Sequence, residues 1–580
     1  MTELERRPYI HELVLLVKSN TSERFMGKIE ISGDQAVAYG ALQAGVFVAT
    51  SYPGSPSSNT IEFLKRFVES HGLHIEWSTN EKVAFETAVG ASIGGVPALM
   101  GCKGVGFNIA LDPIMVANLT DVGAGLVILL GDDPGAWASQ NDQDTRPIAW
   151  GTELPMLEPA TPSESIGIMR EAYRLSYENQ VPVIVRITKT FGTMKEVIEL
   201  PEISRRVEIE KHSFERFPMR WISVPGNAVQ LHKRLHDRLK IIGSQYEKFG
   251  CNVVNGQGPI GIIAAGVVHA KLMDVLHDVD ISGFTILKLS TLWPLPANKI
   301  TSFLATTQKA LVLEENEPFI ETLIKSISYD AKISTPISGK QDGCVSREGE
   351  LFRWQIAEAL ASFCPTFKPS KKFLPAEETK YLPSESGLPE NCPYTPVFNI
   401  LRDLSQQLNL SPVYVVDPGC AIKINTEPFE MLDIKYSMGS SIGIGSGLVL
   451  AGVTDPVVAV VGDSDFYHQS ANALFNVVHH GSDLLVLILD NSTTALSGFQ
   501  GTPNLGGVDL GHSITPVSID AIVESCSVNL NKTINPWNEI ESREVLEEGL
   551  NGSGVRVIIA RSPCPYIEEG FCPGYKPDCG

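Results

Sequence analysis

The sequence predicts an α/β protein of three domains, each built on a parallel, doubly wound sheet. Two apolar runs near the carboxyl end carry that reading. Val457-Val458-Ala459-Val460-Val461 leads straight into Gly462-Asp463-Ser464, and Leu484-Leu485-Val486-Leu487-Ile488-Leu489 leads into Asp490-Asn491-Ser492-Thr493-Thr494. Runs this short and this apolar, with Ala471 to His480 between them as one crossover helix, read as neighbouring parallel strands buried on both faces. A third observation is compositional. Fifty glycines and thirty-seven prolines in 580 residues supply the punctuation that repeated strand–turn–helix units require.

Taken in order, residues 1–24 carry mixed charge with one apolar patch, Leu13 to Val17, and read as an arm. The first domain spans 25–205, with strands at Val46 to Thr50, Leu126 to Leu130 and Val181 to Ile187. Residues 206–258 form a charged segment in which Ala228 to Tyr246 reads as a surface helix. The second domain, 259–364, opens on the buried strand Ile260 to Ala264 and continues through Thr285 to Leu289 and Ala310 to Glu314. Residues 365–396 are rich in Pro, Lys and Glu and read as a linker. The third domain, 397–563, holds the two opening runs and is expected to resemble the first in architecture; a cysteine-containing tail, 564–580, follows. A net charge of −21 argues against nucleic acid as a partner. No charged leader precedes an apolar segment and no run of eighteen apolar residues occurs, so a cytoplasmic protein with no membrane association is expected. Ten dispersed cysteines read as reduced thiols.

The polar ends of the two apolar runs fall at the carboxyl edge of the sheet, where open α/β sheets bind ligands. One carboxylate (Asp463), one amide oxygen (Asn491) and a nearby backbone carbonyl make a hard, oxygen-rich set suited to Mg²⁺ holding a diphosphate. The competing reading is two strand-terminal turns, since Gly, Asp, Asn and Ser are ordinary turn residues. With 28 positions from Asp463 to Asn491, the pair resembles the diphosphate-binding motif of thiamine diphosphate enzymes. Those enzymes also need a carboxyl group against N1′ of the aminopyrimidine, to favour the tautomer that generates the reactive ylid. The segment Glu76-Trp77-Ser78-Thr79-Asn80-Glu81-Lys82-Val83-Ala84-Phe85-Glu86, followed by Gly90, Gly94 and Gly95, offers Glu81 at the start of a small-residue helix. In an apolar setting such a glutamate can hold a proton. Glu86 competes for the role, though it also suits a solvated helix face.

The chain resembles the α subunits of indolepyruvate:ferredoxin oxidoreductases, within the 2-oxoacid:ferredoxin oxidoreductase superfamily. SYPGSPSS at 51–58, EWSTNEKVAFETAVGASIGG at 76–95 and GDDPGAWASQNDQDTRPIAW at 131–150 carry the resemblance. So do LEENEPFIE at 313–321, DPGC at 417–420, GDSDFYHQSANALFNVVHHG at 462–481, LDNSTTALSGFQ at 489–500 and VIIARSPC at 557–564. It implies a thiamine diphosphate-binding fold of pyrimidine-binding, transketolase C-like and diphosphate-binding domains, in that order. By the resemblance, Glu81 is the N1′ glutamate, and Asp463, Asn491 and the Thr493 carbonyl are metal ligands flanked by Gly462 and Ser464. Ser55 stands where the superfamily usually has a threonine facing substrate and thiazolium. Gly419 and Cys420 match the loop near the diphosphate, although Cys420 equally suits a small buried hydrophobe. Gly439, Gly443, Gly445 and Gly447 suit either backbone approach to the diphosphate or close helix packing. Lys103 is the first candidate cation for a substrate carboxylate and Arg146 the second. The family commonly places a histidine after that lysine, where this chain has Gly104. His468 reads as a proton shuttle or as a satisfied structural histidine.

Family members usually continue into a ferredoxin-like module with paired Cys-x-x-Cys-x-x-Cys runs. Here Cys564, Cys572 and Cys579 are spaced by eight and seven positions, unlike a cluster run, so an iron–sulfur cluster in this chain is not expected. The resemblance implies a catalytic subunit that decarboxylates an aryl or branched 2-oxoacid, hands the acyl group to coenzyme A and passes electrons to a cluster-bearing partner subunit or ferredoxin. It also implies pairing of two copies of the chain. The alternative is a non-oxidative decarboxylase, acyl-CoA lyase or carboligase using the same carbanion chemistry.

Overall fold

The computed structural model describes residues 25–568 apart from 140, 202, 204–212, 215, 217–219, 278, 369–386 and 510–511. The arm 1–24, most of the linker 365–396, and Cys572 and Cys579 lie outside the described residues. The chain divides into two compact units, Met1–Leu382 and Pro383–Gly580. No helix among the described residues is long and apolar enough to cross a membrane.

In the first unit, β1 (Phe25–Ser32) pairs antiparallel with β8 (Lys195–Pro201) as a separate ribbon. The main sheet is built from β2 (Val48–Ser51), β3 (His74–Trp77), β4 (Ala98–Lys103), β5 (Leu126–Asp132), β6 (Met156–Leu157) and β7 (Val183–Thr188). A smaller sheet contains β9 (Val253–Gly256), β10 (Ile260–Ala265), β11 (Phe284–Leu289), β13 (Lys309–Leu313) and β14 (Ile337–Ser338). Every residue of β5 and β7 is buried, as a parallel strand covered on both faces requires. The expected strands all form, and the surface helix runs from Ala228 to Tyr246 as read, burying Leu231, Leu235, Leu239, Ile242 and Tyr246 on one stripe.

Two departures from a purely parallel plan occur at edges. β9 runs antiparallel to β11, and β12 (Thr291–Trp293), from the second block, leaves the smaller sheet and joins the main one antiparallel to β6. An edge strand pairs on one side only, so its direction is less constrained. Through β12 and a continuous apolar core from Val48 to Ile324, the first two blocks fold as one body. A buried ionic seam reinforces them. Arg146 pairs with Asp144 at 2.7 Å and with Glu314 at 2.8 Å, and Lys271 bonds Glu315 at 2.7 Å and Glu350 at 2.8 Å. Glu350 in turn accepts from Trp137 Nε1 at 2.9 Å.

The second unit has one wholly parallel sheet. Its strands are β15 (Val413–Val416), β16 (Ile434–Lys435), β17 (Val457–Gly462), β18 (Leu484–Asp490), β23 (Leu530–Ile534) and β24 (Val555–Arg561), in the order β16-β15-β17-β18-β24-β23. Two small ribbons lie outside it: β19 (Thr493–Thr494) with β20 (Gln500–Gly501), and β21 (Gly507–Asp509) with β22 (His512–Ile514). The main sheet of the first unit has the order β3-β2-β4-β5-β7-β6, completed at the edge by β12. The two orders are the same when read along the chain, as expected from the likeness of the first and third domains. Each sheet therefore has its topological switch point after its first strand, between β2 and β4 and between β15 and β17. A crevice opens at the carboxyl ends of such strands.

Candidate active site

At the switch point of the second unit, the loops after β15, β17 and β18 converge. The register Gly462↔Leu489 brings the ends of β17 and β18 level, so Asp463 and Asp490-Asn491 emerge side by side. Asp463 is 2% exposed and Asn491 6%. The Ser464 N–H donates to Asp463 Oδ1 at 2.8 Å, the Thr502 hydroxyl donates to Asp463 Oδ2 at 3.4 Å, and the Thr493 N–H donates to Asn491 Oδ1 at 3.1 Å. Ser464 Oγ and Thr494 Oγ1, 3.2 Å apart, stitch the two loops together. Thr493 is buried, and its hydroxyl donates to the Gln500 carbonyl across the β19–β20 ribbon at 3.1 Å.

After Asp463–Asp465 the chain widens into a π-helical turn, Phe466–Ser470, before the helix Ala471–His480. Such turns are frequent at functional sites, and this one buries His468 beside the Asp463 loop. Gly439 packs on it at φ +78°; a Cβ there would stand 2.6 Å from Gln469 Cβ, so no other residue fits. Gly445 serves packing, its Cβ position lying 3.1 Å from Val457 Cγ1, whereas Gly443 and Gly447 have nothing within 4 Å. Gly419 lies over Asp465, and a Cβ at Gly462 would come within 2.7 Å of Asp465 Oδ2.

Electrostatically this crevice holds more negative charge than it answers. Asp490 has Arg561 at 2.7 Å. Burial, with Asp490 beside it, raises Asp463 to about 8. Burial and the neighbouring Asp417 and Asp463 push Asp465 well above the usual carboxylate range. Burial lifts Asp417 to about 6, against hydrogen bonds from the Ser441 N–H at 2.8 Å and the Ser470 hydroxyl at 3.1 Å. A dication at Asp463 would reverse this logic by paying for the charge, and the donors are the hard oxygens it prefers. The residues fit Mg²⁺ with a diphosphate. Cys420 opens the 3₁₀ turn Cys420–Asn425; burial, with Cys392 and Cys564 nearby, pushes its thiol up to about 12. Cys564 itself donates its N–H to the Asn491 carbonyl at 3.2 Å, so the first residue of the tail is seated against this loop.

The equivalent edge of the first unit gathers the other candidates. Glu81 follows β3, opens the helix Glu81–Ile93 behind an Asn80 cap, and is 3% exposed. Facing it is Gly106 on the helix Gly104–Ala117; a Cβ there would lie 2.1 Å from Glu81 Oε1. The carboxylate thus lies in a groove that only glycine leaves open. Lys103 ends β4, and its stem runs past Gly54, whose Cβ position is 3.1 Å from Lys103 Cδ and Cγ. Ser55 is the next residue in that loop, and Pro56 packs on Gly131 at the end of β5. Glu86 is exposed and ion-paired with Lys82, a solvated helix face.

One sequence expectation changes here, and one departure from the family pattern gains a cause. Arg146 is no free cation for a substrate. It is buried, bonded to Asp144 and Glu314, and donates to the carbonyls of Glu315 and Glu317; sequence could not reveal this because the three glutamates lie 168, 169 and 171 positions away. Gly104 has a steric cause: a Cβ would stand 2.4 Å from Thr145 Oγ1 and 2.7 Å from Asp132 Oδ1, so no histidine fits. Sequence reasoning missed Asp465 and Asp417. The apolar run Val413–Val416 ending in Asp417 carries the same signal that marked Asp463.

Three family descriptions match in chain order: "Pyruvate flavodoxin/ferredoxin oxidoreductase, thiamine diP-bdg" over 39–235, "Indolepyruvate oxidoreductase domain" over 252–363, and "Thiamine pyrophosphate enzyme, C-terminal TPP binding domain" over 419–560. "Indolepyruvate oxidoreductase subunit IorA" of Methanothermobacter thermautotrophicus is 32% identical over 543 residues, covering 93% of this chain and 87% of that one. The IorA subunit of Archaeoglobus fulgidus is 32% identical over 551 residues, with coverage of 93% and 87%. "2-Oxoglutarate synthase subunit KorA" of Methanothermobacter marburgensis is more distant, at 24% identity over 49% of this chain and 87% of that one. On its domains and its full-length relatives, the chain belongs to the thiamine diphosphate-dependent 2-oxoacid oxidoreductases, in the indolepyruvate oxidoreductase subunit IorA family.

Proposed function

We propose that the chain is the catalytic subunit for oxidative decarboxylation of an arylpyruvate-like 2-oxoacid, with Mg²⁺ and thiamine diphosphate as cofactors, coenzyme A as acyl acceptor and electrons leaving through a partner subunit. The observation that carries it is the pairing of buried Asp463 and Asn491 at the ends of adjacent parallel strands. When bound, thiamine diphosphate supplies a carbon nucleophile for the 2-oxo group and a sink for the electron pair left by loss of CO₂. Asp463, Asn491 and the Thr493 carbonyl ligate Mg²⁺, and Gly462, Ser464, Gly419, Cys420 and Gly439 line the diphosphate end. Glu81, in the space that Gly106 leaves open, keeps a proton at N1′ of the aminopyrimidine. Lys103 meets the substrate carboxylate with Ser55 beside it, and His468 relays a proton near the diphosphate loop.

The relatives are named as subunits and as indolepyruvate oxidoreductases, which supports both a partner chain and an aryl substrate. The test mixes purified chain and candidate partner with indolepyruvate, coenzyme A, Mg²⁺, thiamine diphosphate and a viologen dye. Dye reduction that needs partner, coenzyme A and substrate together is expected. Release of aldehyde, or a new carbon–carbon bond with the dye left oxidised, overturns the oxidative reading.

A further inference from the structure

On the far flank of the helix Ala228–Tyr246, two imidazoles one turn apart converge on a single carboxylate from a distant segment. His232 Nε2 lies 2.6 Å from Glu153 Oε2, and His236 Nε2 lies 2.9 Å from Glu153 Oε1. The two rings have centroids 4.3 Å apart. One ligand atom from each residue lies within 4.8 Å of the others, and this is the group of three metal-capable side chains found among the described residues. The Glu153 backbone is fixed in an uncommon conformation. It sits at φ +59° just past the helix Arg146–Gly151, a left-handed conformation unfavourable for glutamate, and its N–H donates to the Trp150 carbonyl at 2.9 Å.

We propose that Glu153, His232 and His236 form a binding site for a first-row divalent cation of the Zn²⁺ class, clasping this helix to the body of the first unit. Two imidazoles and a carboxylate with an open position for water are a recurrent Zn²⁺ ligand set, and imidazole suits Zn²⁺, Ni²⁺ and Cu²⁺ better than Mg²⁺. Histidines four residues apart lie on one face of a helix, so both reach the same ion. The Nε2–O distances are shorter than the roughly 3.3 Å that separates ligands around a tetrahedral Zn²⁺ at about 2.0–2.1 Å. Side chains about half exposed open by that fraction of an ångström through small rotations. Each imidazole must turn a lone pair towards the ion, which a tautomer shift to Nδ1–H achieves. The ion then occupies the place of two hydrogen bonds and crosslinks segments 79 and 83 positions apart.

The opposite flank of the helix is already pinned, since Arg238 bonds Asp121 at 2.6 Å and Arg234 donates to the Leu119 carbonyl at 3.0 Å. The proposed clasp supplies the counterpart on the other side. The Mg²⁺ site described above is made of different residues and prefers a harder ion, so the two are separable.

The test titrates Co²⁺ and Zn²⁺ into untagged full-length chain that is saturated with Mg²⁺ and thiamine diphosphate. One Co²⁺ equivalent is expected with weak visible bands and no thiolate charge-transfer band, and Zn²⁺ should raise the thermal midpoint reversibly with chelator. The His232→Ala/His236→Ala double variant should lose that equivalent, with affinity at least tenfold weaker and no Zn²⁺-dependent rise in midpoint. Glu153→Gln, which can still hydrogen-bond both rings, should weaken binding while leaving metal-free stability near that of the parent. Unchanged stoichiometry and affinity in the double variant, a thiolate signature for the bound Co²⁺, or no uptake by the parent chain would each overturn the assignment.

Discussion

Single residues decide the proposed chemistry. Asp463→Ala removes the one carboxylate among the three proposed metal ligands; thiamine diphosphate affinity, by calorimetry, should fall at least a hundredfold in the presence of Mg²⁺. The circular dichroism spectrum should not change, because the core strands beneath are untouched. Cofactor affinity equal to the parent's would remove Asp463 from the metal site. Glu81→Gln should bind cofactor normally yet exchange the C2 proton of the bound cofactor far more slowly, since an amide cannot supply the N1′ proton; exchange at the parent rate, read by NMR, sinks that role. Gly106→Ala tests the groove around Glu81 separately, because the added methyl would lie 2.1 Å from Oε1 and must displace the carboxylate. That variant should lose activity like Glu81→Gln, with Mg²⁺ and diphosphate binding retained. The places of Asp463, Asn491 and Glu81 at strand ends and a helix start were legible, because each terminates a pattern visible in the chain. Arg146 was misread for the opposite reason: its type was visible and its burial was not.

At the scale of elements, the helix Gly33–Gln43 offers a pH dependence. It opens with a Ser32–Gln35 capping box, and Asp34 in its first turn is buried, with Asn59 Nδ2 donating to its Oδ2 at 2.8 Å. A helix start favours a carboxylate, yet burial wins and raises Asp34 to about 7 from an ordinary 3.8. The folded state therefore holds its proton more tightly than the unfolded one. The contribution to stability is fully present below about pH 3.8 and is lost as pH rises through about 7. A shift of that size corresponds to about 4 kcal/mol as an upper bound. Asp34→Asn should be more stable than the parent at pH 8 by urea denaturation, with the advantage shrinking towards pH 5; a constant difference across that range refutes the assignment. Long strands and the Ala228–Tyr246 helix were legible from apolar periodicity. The π-helical turn Phe466–Ser470 was not, because its residues suit an α-helix equally well. The two- and three-residue strands β6 and β12 are too short to carry any periodicity.

For the whole molecule, the parallel α/β architecture was legible in the sequence, whereas the sharing of one core by the first two blocks was not, since it depends on contacts between distant segments. Arg146 is the sharpest probe of that union. Arg146→Met strips the cation from buried Asp144 and Glu314, and breaking a buried pair costs about 3–5 kcal/mol. Chemical denaturation should show the first unit losing roughly that much, with thiamine diphosphate still protecting the second; a loss under 1 kcal/mol would mean that the seam is dispensable. The same union sets a schedule for biosynthesis. The main sheet of the first unit is hydrogen-bonded through β7, which ends at Thr188, yet its last strand, β12, ends at Trp293. At about 5–20 residues per second, a ribosome needs roughly 5–20 s to make the intervening chain. Throughout that interval the nascent sheet has an open edge at β6, with the apolar surface that the second block will cover still exposed. The consequence is an exposure set by chain order: until β12 is made, the β6 edge is open to pairing with another chain.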